Sequence, residues 1–396
     1  MTARLDEGAA SAAVAGPGAL LREVAGAALG WVHDNRSGFR LPDDVLEPHV
    51  DVNSTLKPLG ELVQLCSTVR RRTLPGDPHH EIATALVRYA WEETREGDLL
   101  LDLLRGEPFA TYPFEIYAAF AGDGMRHAGF EGLASVVAST RSWALTEQHA
   151  NRELGLLNCE RRVGLPRHTD PGPALRRTWL GGLPEPWTFE RASGYSLTHV
   201  VYHLTDWGNT PRLVPPDIAE YLSVWLPCWV DGCLENGQWD LAAELLAVGA
   251  CLPEPPPAAL VTAPWTMIAA VQDRTGAVPE TGPVPTSART ASGPPPGAGP
   301  GRPQHGPGPA EGATNGDGKT EDGKTEDGTT EDGTTGDPFG AETSASGSRA
   351  PYPFLHCYHS TLVTAFAASL TLARLRPGPP PDGDRQPAGR RDGDTA

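Results

Sequence analysis

Long apolar runs are missing from this sequence. No stretch approaches the ~18 apolar residues of a membrane span, which excludes a membrane-embedded protein as an expectation. The start lacks the uncharged apolar core of a secretory leader, because Arg4, Asp6, Glu7, Arg22 and Glu23 break up its alanine-rich run. Six cysteines in a 396-residue chain without a leader read as reduced thiols in a cytoplasmic protein, not as a disulfide framework. Positive charge is also short. Lys and Arg total 32 against 50 Asp and Glu, for a formal net charge of −18. Such a surface repels phosphate backbones and excludes nucleic acid as a partner. The one short basic run, Arg70–Arg71–Arg72, ends a helical segment, where cations are ordinary partners of the helix dipole.

Strand signals and the common catalytic motifs are absent as well. No run of Val, Ile, Thr and Tyr alternates convincingly with polar residues. There is no Walker A loop, no strand-linked Gly-x-Gly-x-x-Gly, no Gly-x-Ser-x-Gly elbow and no His-Glu-x-x-His. These absences remove the usual nucleotide, dinucleotide, α/β-hydrolase and zincin readings.

What remains is helix. Leu20, Leu21, Val24, Ala28, Leu29 and Val32 recur at helical spacing, as do Leu59, Leu62, Leu65, Cys66 and Val69. Ile82, Leu86, Tyr89 and Ala90 mark a third helix, and further segments run at about 113–127, 131–146, 147–158, 174–180, 195–206, 216–234, 237–250, 257–273 and 355–374. Pro- and Gly-rich links join them. The expected fold is all-α, a single helical array of α/α-toroid type. A long insert interrupts it: residues 275–349 carry Pro–Gly text and a repeat, Asp317–Gly318–Lys319–Thr320–Glu321, with almost no large apolar residue. Such a segment cannot offset its ordering entropy by burial and is expected to be disordered. The expected organisation is a disordered start at 1–17, a helical domain at 18–274, the insert at 275–349, the last helix of the same domain at 350–375, and a disordered tail at 376–396.

Two segments carry ligand-capable residues inside apolar helices. In the first, Tyr195, His199, His203 and Asp206 fall on one helical stripe, with Gly208 as the helix stop. A His-x-x-x-His pair with a carboxylate one turn on can hold a metal or orient a general base. The plainer alternative is a pair of satisfied histidines near a helix end. In the second, His356, Cys357 and His359 stand at the entrance to the last helix, where free N–H groups favour thiolates and anions. Its plainer alternative is a polar helix start. Asp43–Asp44 and Glu47 look superficially like an aspartate-rich motif, but Pro42 and Pro48 bracket them, which suits a loop.

The segments Leu197–Gly208 and His356–Thr361 together resemble an actinobacterial family of all-helical proteins of unknown function, over about residues 18–274 and 350–375. More distantly the chain is similar to α/α-toroid enzymes such as lanthionine cyclases and terpene cyclases. That likeness implies a helical cavity, and zinc as the metal. On the enzyme reading His199, His203, Asp206 and Cys357 are catalytic, and His199, His203, His356 and His359 are metal ligands, acting on a small molecule or modified peptide. The competing readings are a non-catalytic helical binding or scaffold protein and a terpene cyclase-like enzyme.

Overall fold

The computed structural model describes residues 16–285 and 353–375. Among these residues it is all-helical, with fourteen α-helices and no strand. They are α1 (Pro17–Asp34), α2 (Leu56–Arg72), α3 (Pro78–Glu93), α4 (Asp98–Gly106), α5 (Tyr112–Gly122), α6 (Ala128–Ala138), α7 (Arg141–Leu145) and α8 (Ala150–Val163). The rest are α9 (Pro171–Arg177), α10 (Arg191–Thr205), α11 (Pro216–Glu235), α12 (Trp239–Cys251), α13 (Ala263–Val271) and α14 (Tyr358–Leu375). Local chemistry sets their ends. Asp77 and Asp170 accept the backbone N–H of His79 and Gly172 at the starts of α3 and α9, as N-caps do. Gly164, at φ +90°, closes α8 in the left-handed region that suits glycine. A reciprocal pair of hydrogen bonds between Glu190 and Ser193 opens α10.

Six helices close a ring by contact. α2 packs on α14, α14 on α12, α12 on α10, α10 on α8, α8 on α5, and α5 back on α2. Other helices lie against this ring: α1 on α14, α3 on α2, α11 on α12 and α9 on α8. The most deeply buried members are α12, in which all thirteen residues are buried, and α14, buried without interruption from Ser360 to Leu372. Burial on every side explains why both helices are rich in apolar and small residues rather than amphipathic.

The described body extends beyond the expected limit at residue 274. Ala277 and Val278 are fully buried. Gly276 turns the chain at φ +98°, where an added Cβ would lie 2.1 Å from the carbonyl oxygen of Ala27. The segment then ties α12 to α14. The carbonyl of Val278 accepts from Ser360 Oγ at 2.5 Å, its N–H donates to Thr361 Oγ1 at 2.9 Å, and Glu280 O accepts the Asp240 N–H at 3.1 Å. The order of this stretch comes from two apolar side chains and backbone hydrogen bonds, not from length of apolar sequence. The rest of the expected insert (286–349), the first fifteen residues and the tail after 375 lie outside the described residues.

Two local expectations differ from the structure, and a third, the loop between Pro42 and Pro48, agrees with it. The apolar stripe Leu99, Leu100, Leu103 and Leu104 makes a helix, α4, that the sequence reading passed over. α10 ends at Thr205, one residue before the expected 206, and the left-handed stop begins at Asp206 and Trp207, with φ of +52° and +56°, ahead of the expected Gly208. Asp43, Asp44 and Glu47 sit exposed in turns, so they form no aspartate-rich helix of the terpene-cyclase kind.

Candidate metal centre

Asp240 and Glu244 stand one turn apart on α12 and so share a face. That face meets the first turn of α14, where His359 lies between them and Glu61 of α2. His359 Nδ1 is 3.1 Å from Glu61 Oε2, while its Nε2 is 3.2 Å from Glu244 Oε1 and 3.6 Å from Asp240 Oδ1. α10 supplies the remaining contacts. Tyr195 OH donates to Asp240 Oδ2 at 2.7 Å, Thr198 Oγ1 donates to Glu244 Oε2, and Tyr202 OH donates to the Glu244 carbonyl at 2.9 Å. The Asp240 and Glu244 side chains are 3% and 2% exposed, whereas Glu61 and His359 are 22% and 30% exposed. The cluster is therefore closed at its α12 side and open at its α2 side.

Three carboxylates against one imidazole leave an excess of negative charge. Burial alone would push the His359 imidazole down, but Asp240 and Glu61, with hydrogen bonds to Glu244 and Glu61, raise it well above its ordinary value. Burial pushes the Asp240 carboxyl up to about 6, and the neighbouring Glu244 adds to that rise. Glu244 and Glu61 go the other way. Burial opposes their charge, but His359 outweighs it at both, with help from His199 at Glu244 and Lys57 at Glu61. In this cluster Asp240 Oδ1 is buried without a hydrogen bond, its nearest donor being His359 Nε2 at 3.6 Å. A buried carboxylate oxygen in that state calls for a proton or a cation.

The donor set fits a divalent metal. Asp240, Glu244 and His359 each offer one ligand atom, all within 4.8 Å of one another. In a tetrahedral site with bonds of about 2.0–2.1 Å, ligand atoms stand about 3.3 Å apart. The separations of 3.2 and 3.6 Å from His359 Nε2 bracket that value. Glu61 on Nδ1 stands where a carboxylate fixes the ring orientation and tautomer of the histidine at many metal sites.

The residues singled out from the sequence fall in several places. His359 is in the cluster. His199 lies close enough to Glu244 to favour its charge, and its ring stacks on that of His203 at 6.1 Å. His203 packs on Gly155 of α8, where an added Cβ would come within 3.0 Å of its ring. Burial pushes its pKa well below the ordinary histidine value, with His199, Arg152 and Arg162 adding to the effect. Asp206 leaves the stripe because the helix has ended, and pairs with Arg162 at 2.5 Å and Arg161 at 2.9 Å. His356 is exposed on the turn Phe354–His356. Cys357 is buried with its Sγ 3.5 Å from the Pro353 carbonyl, and burial pushes its thiol up to about 11. Such a thiol is protonated at neutral pH, which suits packing rather than nucleophilic attack.

Sequence reading passed over Asp240, Glu244 and Glu61. A signal was there for the first two. They are the only charged residues in Trp239–Cys251, at a four-residue spacing that sets them on a common face. Nothing in the sequence indicated that Glu61 would meet a histidine 298 positions away.

Comparison with curated proteins and with solved structures finds no match. A family model described as a domain of unknown function, DUF6895, matches residues 25–299, well over half of the chain, and the chain belongs to that family.

Proposed function

We propose that the protein is a metal-dependent enzyme of α/α-toroid architecture that acts on a small molecule or modified peptide inside its helical ring. Asp240, Glu244 and His359 hold a divalent ion such as zinc, and Glu61 orients His359. The closed contact circuit of six helices supports the architecture. The observation that carries the metal is Asp240 Oδ1, which is buried, makes no hydrogen bond, and faces two further ligand atoms. A bound metal would supply Lewis acidity and a water of lowered pKa. The protein's part is to keep Asp240 and Glu244 dry, to leave the His359 side open, and to hold the imidazole by its Nδ1. A mixed nitrogen–oxygen set suits zinc, iron(II) or manganese better than a thiolate-loving ion.

Protein stripped with a chelator, incubated with zinc and desalted should retain about one metal per chain. Asp240→Asn and Glu244→Gln should each lose it while keeping a cooperative melt. Retention of metal by the double variant, or no retention by wild type, would refute the site. The second outcome would favour the non-catalytic scaffold reading, in which His359 is simply an imidazolium among acids.

A further inference from the structure

A second polar cluster lies farther along α2, and its charge has the opposite sign. Glu61, Gln64, Thr68 and Arg71 follow one another at three- and four-residue spacing, so they share a face of that helix. From Gln64 onwards the partners are arginines. Gln64 Oε1 accepts from Arg162 Nη1 of α8, Arg71 Nη2 donates to Thr68 Oγ1 at 3.2 Å, and Arg70 and Arg71 share Asp123 at 3.2 and 3.1 Å. α2 and α8 both pack on α5, and the Gln64–Arg162 contact joins them directly. Arg162 and Arg161 share Asp206. Four guanidinium groups thus face two carboxylates, a surplus of two positive charges.

The donors outnumber the acceptors here. Arg162 Nη2, Arg71 Nε and Gln64 Nε2 are buried without an acceptor among the described residues, against one buried acceptor of the cluster without a donor, Asp123 Oδ2. The Arg162 side chain is only 5% exposed. Arg71 and Arg162 converge under the end of α5, where a Cβ added at Gly122 would lie 3.7 Å from Arg71 Nη1 and 4.0 Å from Arg162 Cδ. Burying a guanidinium with an empty N–H is costly, and two of them side by side are costlier still. Burial, with Arg162 next in effect, weakens the hold of Arg71 on its proton.

We propose that Arg71, Arg162 and Gln64 bind a doubly charged oxyanion, the phosphate group of a phosphorylated small molecule, inside the ring. Planar guanidinium forks match phosphate oxygens in pairs, and a dianion cancels the surplus charge. Glu61 and Arg71 are ten residues apart on α2, about 15 Å along its axis. A substrate anchored by its phosphate at the arginines would span that distance to reach the acid–histidine cluster. That last step rests on the proposed metal site; the anion site itself does not.

The test is thermal unfolding of the full chain titrated with inorganic phosphate in excess chelator, against chloride at equal ionic strength. The chelator removes any metal–phosphate complex at Asp240 and Glu244, so failure here is separable from failure of the metal site. Wild type should gain melting temperature saturably with phosphate. Arg71→Gln and Arg162→Gln should weaken the apparent affinity at least about tenfold, from the loss of charge-assisted hydrogen bonds. Arg162→Gln removes a partner of Asp206 and Arg71→Gln a partner of Asp123, but Arg70 still pairs with Asp123 and Arg71 is 23% exposed against 5% for Arg162, so Arg71→Gln is the decisive variant. Glycerol 2-phosphate binding more tightly than phosphate would identify an organic phosphate as the ligand, and equal binding would identify free phosphate. No phosphate effect beyond chloride, or an undiminished effect in Arg71→Gln, would overturn the proposal.

Discussion

Glu61 touches the candidate metal centre only through His359, and that limits what its loss can do. Glu61→Gln keeps Asp240, Glu244 and the imidazole but replaces a charged acceptor at Nδ1 by a neutral one. Metal affinity should fall by about 10- to 100-fold, the usual effect of losing such a partner, while Asp240→Asn removes a ligand outright. Competition with a chromophoric chelator would distinguish the two. Equal affinity in Glu61→Gln and wild type would show that Glu61 has no orienting role. Asp206 makes the opposite case, a residue that looked chemical in the sequence and is bonded to two arginines. Asp206→Asn should cost about 3 kcal/mol in urea denaturation, because it leaves the 5%-exposed Arg162 without its counter-charge.

The two groups also give the stability curve a direction. Burial raises the Asp206 carboxyl but Arg162 and Arg161 outweigh it, leaving its folded pKa below the ordinary value, and burial leaves His203 below its own, so for both the unfolded chain binds protons more readily. The Asp206 contribution is therefore present above the unfolded carboxyl value of about 3.9 and is lost as pH falls below it. The His203 contribution is lost earlier, as pH falls below about 6.5. The difference between wild type and His203→Gln should shrink steadily from pH 7 to pH 5. A constant difference would mean that His203 titrates alike in both states.

At the scale of elements, the segment from Gly276 to Glu280 fixes the two helices that carry the centre. Gly276→Ala should lower the melting temperature, with a cost of about 1–3 kcal/mol for a strained left-handed residue, since its Cβ would strike the Ala27 carbonyl. Removal of residues 353–396 should abolish cooperative melting. Leu362, Phe366 and Leu370 are each almost fully buried. At about 1.5–3 kcal/mol per large side chain, their loss alone rivals the 5–15 kcal/mol of a typical domain. The sequence made these helices legible where the apolar residues recur at 3.6, as in α1, α2 and α14. It was less clear at ends and for short helices. The left-handed turn at Asp206 needs no glycine of its own, so nothing in the residue types marked it, and α4 is too short to show more than one stripe.

For the whole molecule, the composition pointed to an all-α chain, but ring closure depends on contacts between residues far apart in sequence. Gln64 and Arg162 are 98 positions apart, and Glu61 and His359 are 298 apart. Periodicity shows which face of a helix is apolar, not which helix it meets. For that reason Arg70–Arg71–Arg72 looked like an ordinary helix end, whereas Arg71 is largely buried against Thr68 and Asp123. Among the described residues no helix is long and apolar enough to cross a membrane. The polar face of α2 changes sign along its length, from an acid at Glu61 to guanidinium groups at Arg71 and its partner Arg162, and on the proposed function this suits a ligand with a metal-binding end and an anionic end.

The most direct measurement is anomalous diffraction from crystals of the zinc- or manganese-loaded protein. The expected result is one strong peak about 2.0–2.2 Å from an oxygen of Asp240, an oxygen of Glu244 and Nε2 of His359, with Glu61 still on Nδ1. A peak elsewhere, at His199 and His203 or on the exposed His356, or no peak in crystals grown with excess metal, would contradict a metal centre at this cluster.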